Sequence, residues 1–403
     1  MKKMDRNNYL LGRGNFHSSC CADEGYYFLS DKRRNVLALP LDMDGIIDQV
    51  IKHIHEGERI LPKHDRSIIH EQYGQFRDAI SAGFGNLSTQ FEYGTTNQEL
   101  AKNLQYNVGL FSAFKKHDML REVVSQLRDD KGNLKGYSQF RKDALGIIGP
   151  YRESWLQAEW NTGVRSCRMA AQWVKFQAAK NLYPNLKFTL SRSAQRRETH
   201  EILVGTVLPI DHPFWNNHIP PLDWDCKCGV TNTDEQPTEI PPSLEVPEMF
   251  RSNPGKDGKV YNVDAHPYAQ VTKKEYQDVA KEAWGALCSY ERKELIKQAK
   301  DRGDYKKRYK VPGLTGNVQL NRKSFEKNLT YDSNFFSKLS LLQHIDSVLE
   351  DSRLIMSENR KPKQHVKQYH ILQHTTKEGK RINLHIEERN NGEMYLYYIH
   401  IQK

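Results

Sequence analysis

Residues 151–182 read YRESWLQAEWNTGVRSCRMAAQWVKFQAAKNL, and residues 197–230 read RETHEILVGTVLPIDHPFWNNHIPPLDWDCKCGV. In the first stretch Leu156, Trp160, Val164, Cys167, Ala171, Val174, Ala178 and Leu182 recur at steps of three and four. That spacing puts them on one face of a helix of about seven turns. Arg165, Arg168, Gln172 and Lys175 fall on the other face. Ser154 is a candidate N-cap, and Pro184 closes the C-terminal end. The second stretch gathers Arg197, His200, Gly205, Pro209, Asp211, Trp215, Pro220-Pro221, Trp224 and Cys226-Lys227-Cys228 in a loop-rich segment. Cys226 and Cys228 can bring two sulfurs to one metal ion, and His200 with Asp211 or His212 can complete a tetrahedron. The competing reading is a tightly packed loop in which the thiols serve as small hydrophobes and His200 bonds a backbone carbonyl.

Taken together, Trp155–Thr162, Met169–Trp173, Arg197-x-x-His200, Gly205, Pro209, Asp211–Trp215, Pro220-Pro221, Cys226-Lys227-Cys228 and the trailing Phe250–Gly255 resemble the phage Mu F-like minor head proteins. The resemblance spans roughly residues 90 to 255. Ser193, Gln195 and Lys227 depart from the family pattern, which usually carries Asp, Arg and Arg there. The resemblance implies a role in phage head morphogenesis: a few copies in the capsid near the portal, assisting assembly or DNA packaging. It implies portal and capsid proteins and phage DNA as partners. It also implies a location in the virion, in the capsid interior or portal vicinity, after assembly in the host cytoplasm. A structural zinc held by His200, Cys226 and Cys228 is the cofactor to look for.

Composition fits such a role. The 403 residues carry a formal charge of +10, which favours acidic partners such as DNA, RNA or an acidic capsid lumen. No apolar run approaches eighteen residues, so no membrane span is expected, and no apolar core follows Lys2-Lys3 to suggest a signal peptide. Six cysteines in so long a chain do not suggest a disulfide scaffold, and Cys20-Cys21 is an adjacent pair seldom used for bridging.

The expected fold is α+β, with four regions at 1–90, 91–255, 256–319 and 320–403. The first two are mainly helical. Asp42 or Asp44 can cap a helix with the stripe Ile47, Val50, Ile51 and Ile54. Leu100 to Phe114 give a second stripe and Leu120 to Leu127 a third, before Asp130-Lys131-Gly132-Asn133 breaks the chain. His53, His55, His64 and His70 are scattered and read as surface or boundary residues. Residues 232–258 read as a Pro-rich tail. The 256–319 region reads as a helical and basic linker, with one stripe at Tyr276 to Ala283 and a second helix capped by Ser289.

From residue 320 a separate module is expected: an amphipathic helix through Phe335, Leu339, Leu342, Ile345 and Leu349, then Pro362 and a meandering antiparallel sheet. Its period-two strands are Val366–His374, Arg381–Glu388 and Met394–Ile401, with Asn391-Gly392 as a hairpin turn. Ile382, Leu384 and Ile386 would face the core, and His370 would share a face with His374. This layout resembles the barnase, colicin and RelE-like nuclease superfamily and the accessory domains of large polyvalent phage proteins. The resemblance implies a metal-independent ribonuclease with His374, Arg381, His385 and Tyr398 as the catalytic set and RNA as substrate. One group would take the 2′-hydroxyl proton, another would protonate the leaving oxygen, and a cation would steady the phosphorane. The alternative is a purely structural virion protein whose last module is a binding domain.

Overall fold

The computed structural model of the chain describes residues 43–57, 62–85, 95–191, 193, 196–242, 245–358 and 365–401. Lys2, Lys3, Cys20, Cys21, Asp42, Gln195 and Pro362, which entered the sequence reading, lie outside these, as does the side chain of His64. The chain is α+β. Five helices come first: α1 (Met43–His55), α2 (Pro62–Phe84), α3 (Thr96–Ser125), α4 (Tyr137–Arg152) and α5 (Ser154–Ala178). The α1 stripe is buried as expected, with Ile47, Val50, Ile51 and Ile54 inside. The two stripes at 100–127 lie on one continuous helix, α3, rather than two. The polar run between them does not break it, because Lys115, Lys116 and Asp118 are themselves buried and partnered. The expected break follows at 129–133, where the Asp129 carboxylate accepts from the backbone of Lys131 and Asn133, and Gly132 takes the φ of 83° that a side chain disfavours.

Ser154 is the first residue of α5 rather than its cap, because Tyr151 and Arg152 still belong to α4 and Glu153 makes the turn between the two helices. Helix α5 is buried on two sides. Cys167 and Ala170 enter the large core formed with α1 to α4, while Met169, Trp173 and Phe176 enter a second, smaller core. Ala178 and Leu182, the end of the expected stripe, are exposed, since the chain has by then turned away from the bundle. Helices α2 and α5 approach closely at Gly83, where an added Cβ would sit 2.5 Å from the Val164 carbonyl oxygen.

The second core lies under a three-stranded antiparallel sheet of β1 (Asn185–Thr189), β2 (Val207–Pro209) and β3 (Gly229–Thr233), in the order β2-β1-β3. Between β1 and β2 sits the short helix α6 (Glu198–Glu201). Trp215 is fully buried at its centre, donating through Nε1 to the Pro209 carbonyl at 3.1 Å.

Residues 245–301 differ from the linker expected there. Val246, Met249 and Phe250 fill the second core, and α7 (Pro254–Asp257) lies against α5. Tyr261 and Tyr268 enter the first core. A single 29-residue helix, α8 (Lys273–Asp301), follows, with Thr272 and Glu275 forming a capping box. Ser289 is buried in its middle and caps nothing. Because α8 packs on α3 and α2, it is a wall of the bundle. Part of the basic run after it is paired locally. Arg302 and Lys307 both pair with the buried Asp304, at 2.7 and 3.0 Å, and Lys307 also reaches Asp346 at 2.6 Å.

The C-terminal part adds β4 (Tyr309–Lys310), β5 (Asn317–Gln319), α9 (Arg322–Glu326), α10 (Phe335–Gln343), α11 (Ile345–Glu350), β6 (Arg353–Glu358), β7 (Val366–Thr375), β8 (Arg381–Arg389) and β9 (Met394–Ile401). They form one six-stranded sheet in the order β4-β5-β9-β8-β7-β6, antiparallel except for β5 with β9. Ile382, Leu384 and Ile386 are fully buried, as their alternation requires. Their core is continuous with that of the helices. Trp284 of α8 donates to the Tyr331 carbonyl at 3.1 Å and its ring lies 5.9 Å from that of Phe336. Among the described residues no helix is long and apolar enough to cross a membrane.

Candidate metal centre

His200, Cys226 and Cys228 come together although 26 residues separate the histidine from the first cysteine. The His200 Nδ1 lies 3.7 Å from each sulfur, and the three donor atoms all fall within 4.8 Å of one another. His200 and Cys226 are buried, and Cys228 is half-buried. Three features of the local sequence set this geometry. Helix α6 carries His200, and the Arg197 guanidinium at its N-terminus donates to the Trp224 carbonyl at 2.9 Å, tying α6 to the cysteine loop. Asp225 has a φ of 53°, a conformation in which Asp is tolerated better than most residues, and this turns the chain so that both following cysteines face His200. Helix α5 fixes Asp225 in place. The Thr162 hydroxyl accepts from the Asp225 amide at 3.2 Å, and the Asp225 carboxylate accepts from Asn161 at 3.0 Å and Arg165 at 3.4 Å.

The donor chemistry suits a thiophilic divalent ion. The Cys228 thiol hydrogen-bonds to Cys226, and this contact, reinforced by His200, outweighs burial and holds Cys226 well below the ordinary thiol range. The same contact, with burial, pushes Cys228 up. A dication bound here would displace the thiol protons and take both sulfurs as thiolates. Zn–N of about 2.0–2.1 Å and Zn–S of about 2.3 Å imply N···S edges of roughly 3.6 Å in a tetrahedron. The observed 3.7 Å spacings match that edge.

Neither of the other two expected ligands joins the cluster. Asp211 is paired with Lys180 beyond the end of α5, and His212 caps the 3₁₀ turn at Pro213–Asn216 by accepting from the Phe214 amide at 3.2 Å. Sequence reasoning missed Asn161, Thr162, Arg165 and Asp225 as the groups that aim the loop. Asn161 and Arg165 are four apart and Thr162 and Arg165 three apart on α5, but that they meet Asp225 is a long-range contact no local pattern shows.

The expected catalytic set of the last module is not brought together. His374 pairs across the sheet with Ile382, whereas His385 pairs with Tyr398. Directly opposed residues share a face and alternate residues along a strand change face. His374 therefore lies on the side of the buried Ile382, and Arg381, His385 and Tyr398 lie on the other. His385 and Tyr398 have ring centroids 6.1 Å apart. The Tyr398 ring is already covered by the Lys338 ammonium, 4.6 Å from its centroid.

Comparison with known proteins gives two family matches. Residues 86–231 match the model described as Phage Mu protein F like protein, and residues 290–398 match Large polyvalent protein-associated domain 3. A protein F of Escherichia phage Mu, whose name gives it a role in capsid assembly, is 28% identical over 71 residues. The aligned part is 18% of this chain and 16% of that relative, so the shared segment is a small part of both. No solved structure matches significantly. These findings support the Mu F-like head-assembly family for the stretch that holds α3 to β3.

Proposed function

We propose that this chain is a phage or prophage head-assembly protein whose residues 86–231 act as the capsid- or portal-facing part. One observation supports this most directly. The residues that carry the Mu F-like resemblance fold as one unit: Trp173, Trp215 and Phe250 share a core, and Asn253 donates to the Trp215 carbonyl at 3.0 Å. In this reading His200, Cys226 and Cys228 hold a structural zinc, which would cross-link α6 to the loop that leads into β3. The excess of basic side chains suits a position beside packaged DNA. No ribonuclease role is proposed for His374, Arg381, His385 and Tyr398, because the sheet register divides them between two faces.

The test is particle association. The tagged chain is co-expressed with the capsid and portal proteins of its own phage, and heads are separated by sedimentation. The chain is expected in the particle fraction, and a Trp215→Ala variant is expected to lose that association. A chain that stays wholly in the soluble fraction while heads assemble normally would overturn the reading.

A further inference from the structure

A second set of side chains, on the C-terminal sheet, is arranged as a proton relay. Ser357 on β6 and His370 on β7 are register partners, with Ser357 Oγ 2.9 Å from His370 Nδ1. The other ring nitrogen, Nε2, lies 2.8 Å from Oε2 of Glu388 on β8. Glu388 takes two more hydrogen bonds, from Lys367 Nζ to Oε1 at 2.8 Å and from Gln368 Nε2 to Oε2 at 2.6 Å. Burial is graded along the relay: Glu388 and His370 are 4% and 5% exposed, while Ser357 is open to solvent on an edge strand.

The partners keep Glu388 ionised. Burial alone would raise the Glu388 pKa, but the hydrogen bonds from Lys367, Gln368 and His370 outweigh it and hold the carboxyl down to about 2. An ionised carboxylate only accepts, so Nε2 donates to it, and in the neutral ring the Nδ1 lone pair then faces the Ser357 hydroxyl. The imidazole is buried, and its Nδ1 is approached only past the Ser357 hydroxyl, so it exchanges protons with that hydroxyl or with a group bound against it. The exposed hydroxyl is the group through which it can act. Nucleophile, base and orienting carboxylate in hydrogen-bond sequence are the parts that nucleophilic catalysis requires.

We propose that Ser357, His370 and Glu388 form a catalytic triad acting on activated acyl compounds, esters or thioesters. Ser357 Oγ attacks the acyl carbon as its proton passes to His370 Nδ1. The bond from that carbon to the leaving oxygen or sulfur breaks, and the leaving group takes the proton from Nδ1. Water then attacks the acyl-Ser357 ester and gives a proton to Nδ1. That proton returns to Ser357 Oγ as the carboxylic acid departs. Glu388 stays ionised throughout and is a positioning residue that stabilises the imidazolium.

The full-length protein is treated with a fluorophosphonate probe, and labelled sites are mapped while p-nitrophenyl acetate hydrolysis is followed. Ser357 is expected to label at least about a hundredfold faster than any other serine, and Ser357→Ala is expected to abolish both signals. His370→Gln should slow labelling by roughly 10³-fold. Glu388→Gln should slow it less and move the midpoint of its pH–rate profile, which a merely structural carboxylate would not do. Circular dichroism confirms the fold of each variant, and Ser357→Ala, being at an exposed position, keeps the test open if the buried variants unfold. Labelling of Ser357 no faster than in urea-unfolded protein, or unchanged by His370→Gln in a folded variant, would overturn the proposal.

Discussion

Lys115 of α3 and Glu159 of α5 form an ion pair with side chains 0% and 1% exposed. The Tyr268 hydroxyl donates to the same carboxylate at 2.7 Å, so three segments meet at one buried charge pair. Removing one partner leaves the other charged and without solvent. Lys115→Met or Glu159→Leu alone should cost about 3–5 kcal/mol, and the double substitution less than the sum of the two. Urea unfolding of the four proteins measures the difference.

His70 sits in the α2–α8 contact, with Nε2 3.0 Å from the Ala286 carbonyl oxygen. Burial, helped by the charge of Lys293, lowers its pKa from 6.5 to about 4. The unfolded chain therefore binds a proton that the folded one refuses between those values. Stability falls as pH drops from about 6.5 to about 4, by about 3 kcal/mol at most from this group. Unfolding midpoints at pH 7 and pH 4 should converge in His70→Gln relative to the parent.

The metal reading makes a stoichiometric prediction. Purified protein should carry about one zinc, Cys226→Ser and Cys228→Ser each far less, and chelation should lower Tm by several degrees. Because bound cysteines must be deprotonated, zinc should be released as pH falls. Metal analysis after dialysis at pH 7.5 and pH 5 checks the direction, and zinc content equal in parent and double-cysteine variant would sink the idea.

Gly255 lies where α7 crosses α5. A Cβ added there would meet Trp173 Cβ at 2.2 Å, backed by the ring. Gly255→Ala should cost about 1–3 kcal/mol, more than the small gain an alanine brings to an open helical site. Thermal unfolding monitored by tryptophan fluorescence reports it, since Trp173 and Trp215 share that core.

The sequence spoke most clearly where one element's own periodicity decides its burial. The stripe from Ile47 to Ile54 and the alternation in Ile382, Leu384 and Ile386 need no knowledge of the partner, and Asn391-Gly392 marks its hairpin by turn chemistry. The two apolar stripes of α3 are separated by Lys115, Lys116 and Asp118, whose burial no local pattern shows. Their partners Glu159, Glu282 and Tyr151 lie 33 to 166 residues away. The second buried face of α5, with Met169, Trp173 and Phe176, depends on a sheet formed later in the chain.

The candidate site divides in the same way. His200, Cys226 and Cys228 are adjacent, as the residue types suggested, but the turn at Asp225 and its hold on α5 are long-range facts. In the last module the period-two pattern marks β7, β8 and β9 to within a residue but not the short β4 and β5 or the edge strand β6, and the face of His374 depends on cross-strand register. The bulges at Val366/Gln368 and His385/Ile386 are invisible to a period-two pattern.

The continuous core joining α8 to α10 and the large sheet has a bearing on how this chain can be processed. A protease cut in the connector between residues 308 and 321 would sever the backbone without freeing the last module. Trp284, Phe335 and Phe336 would still interlock, and Asp304, Lys307 and Asp346 would still bridge the cut ends. The two fragments should elute as one particle and separate only in denaturant. The C-terminal sheet is therefore a fixed fitting of the helical bundle rather than releasable cargo.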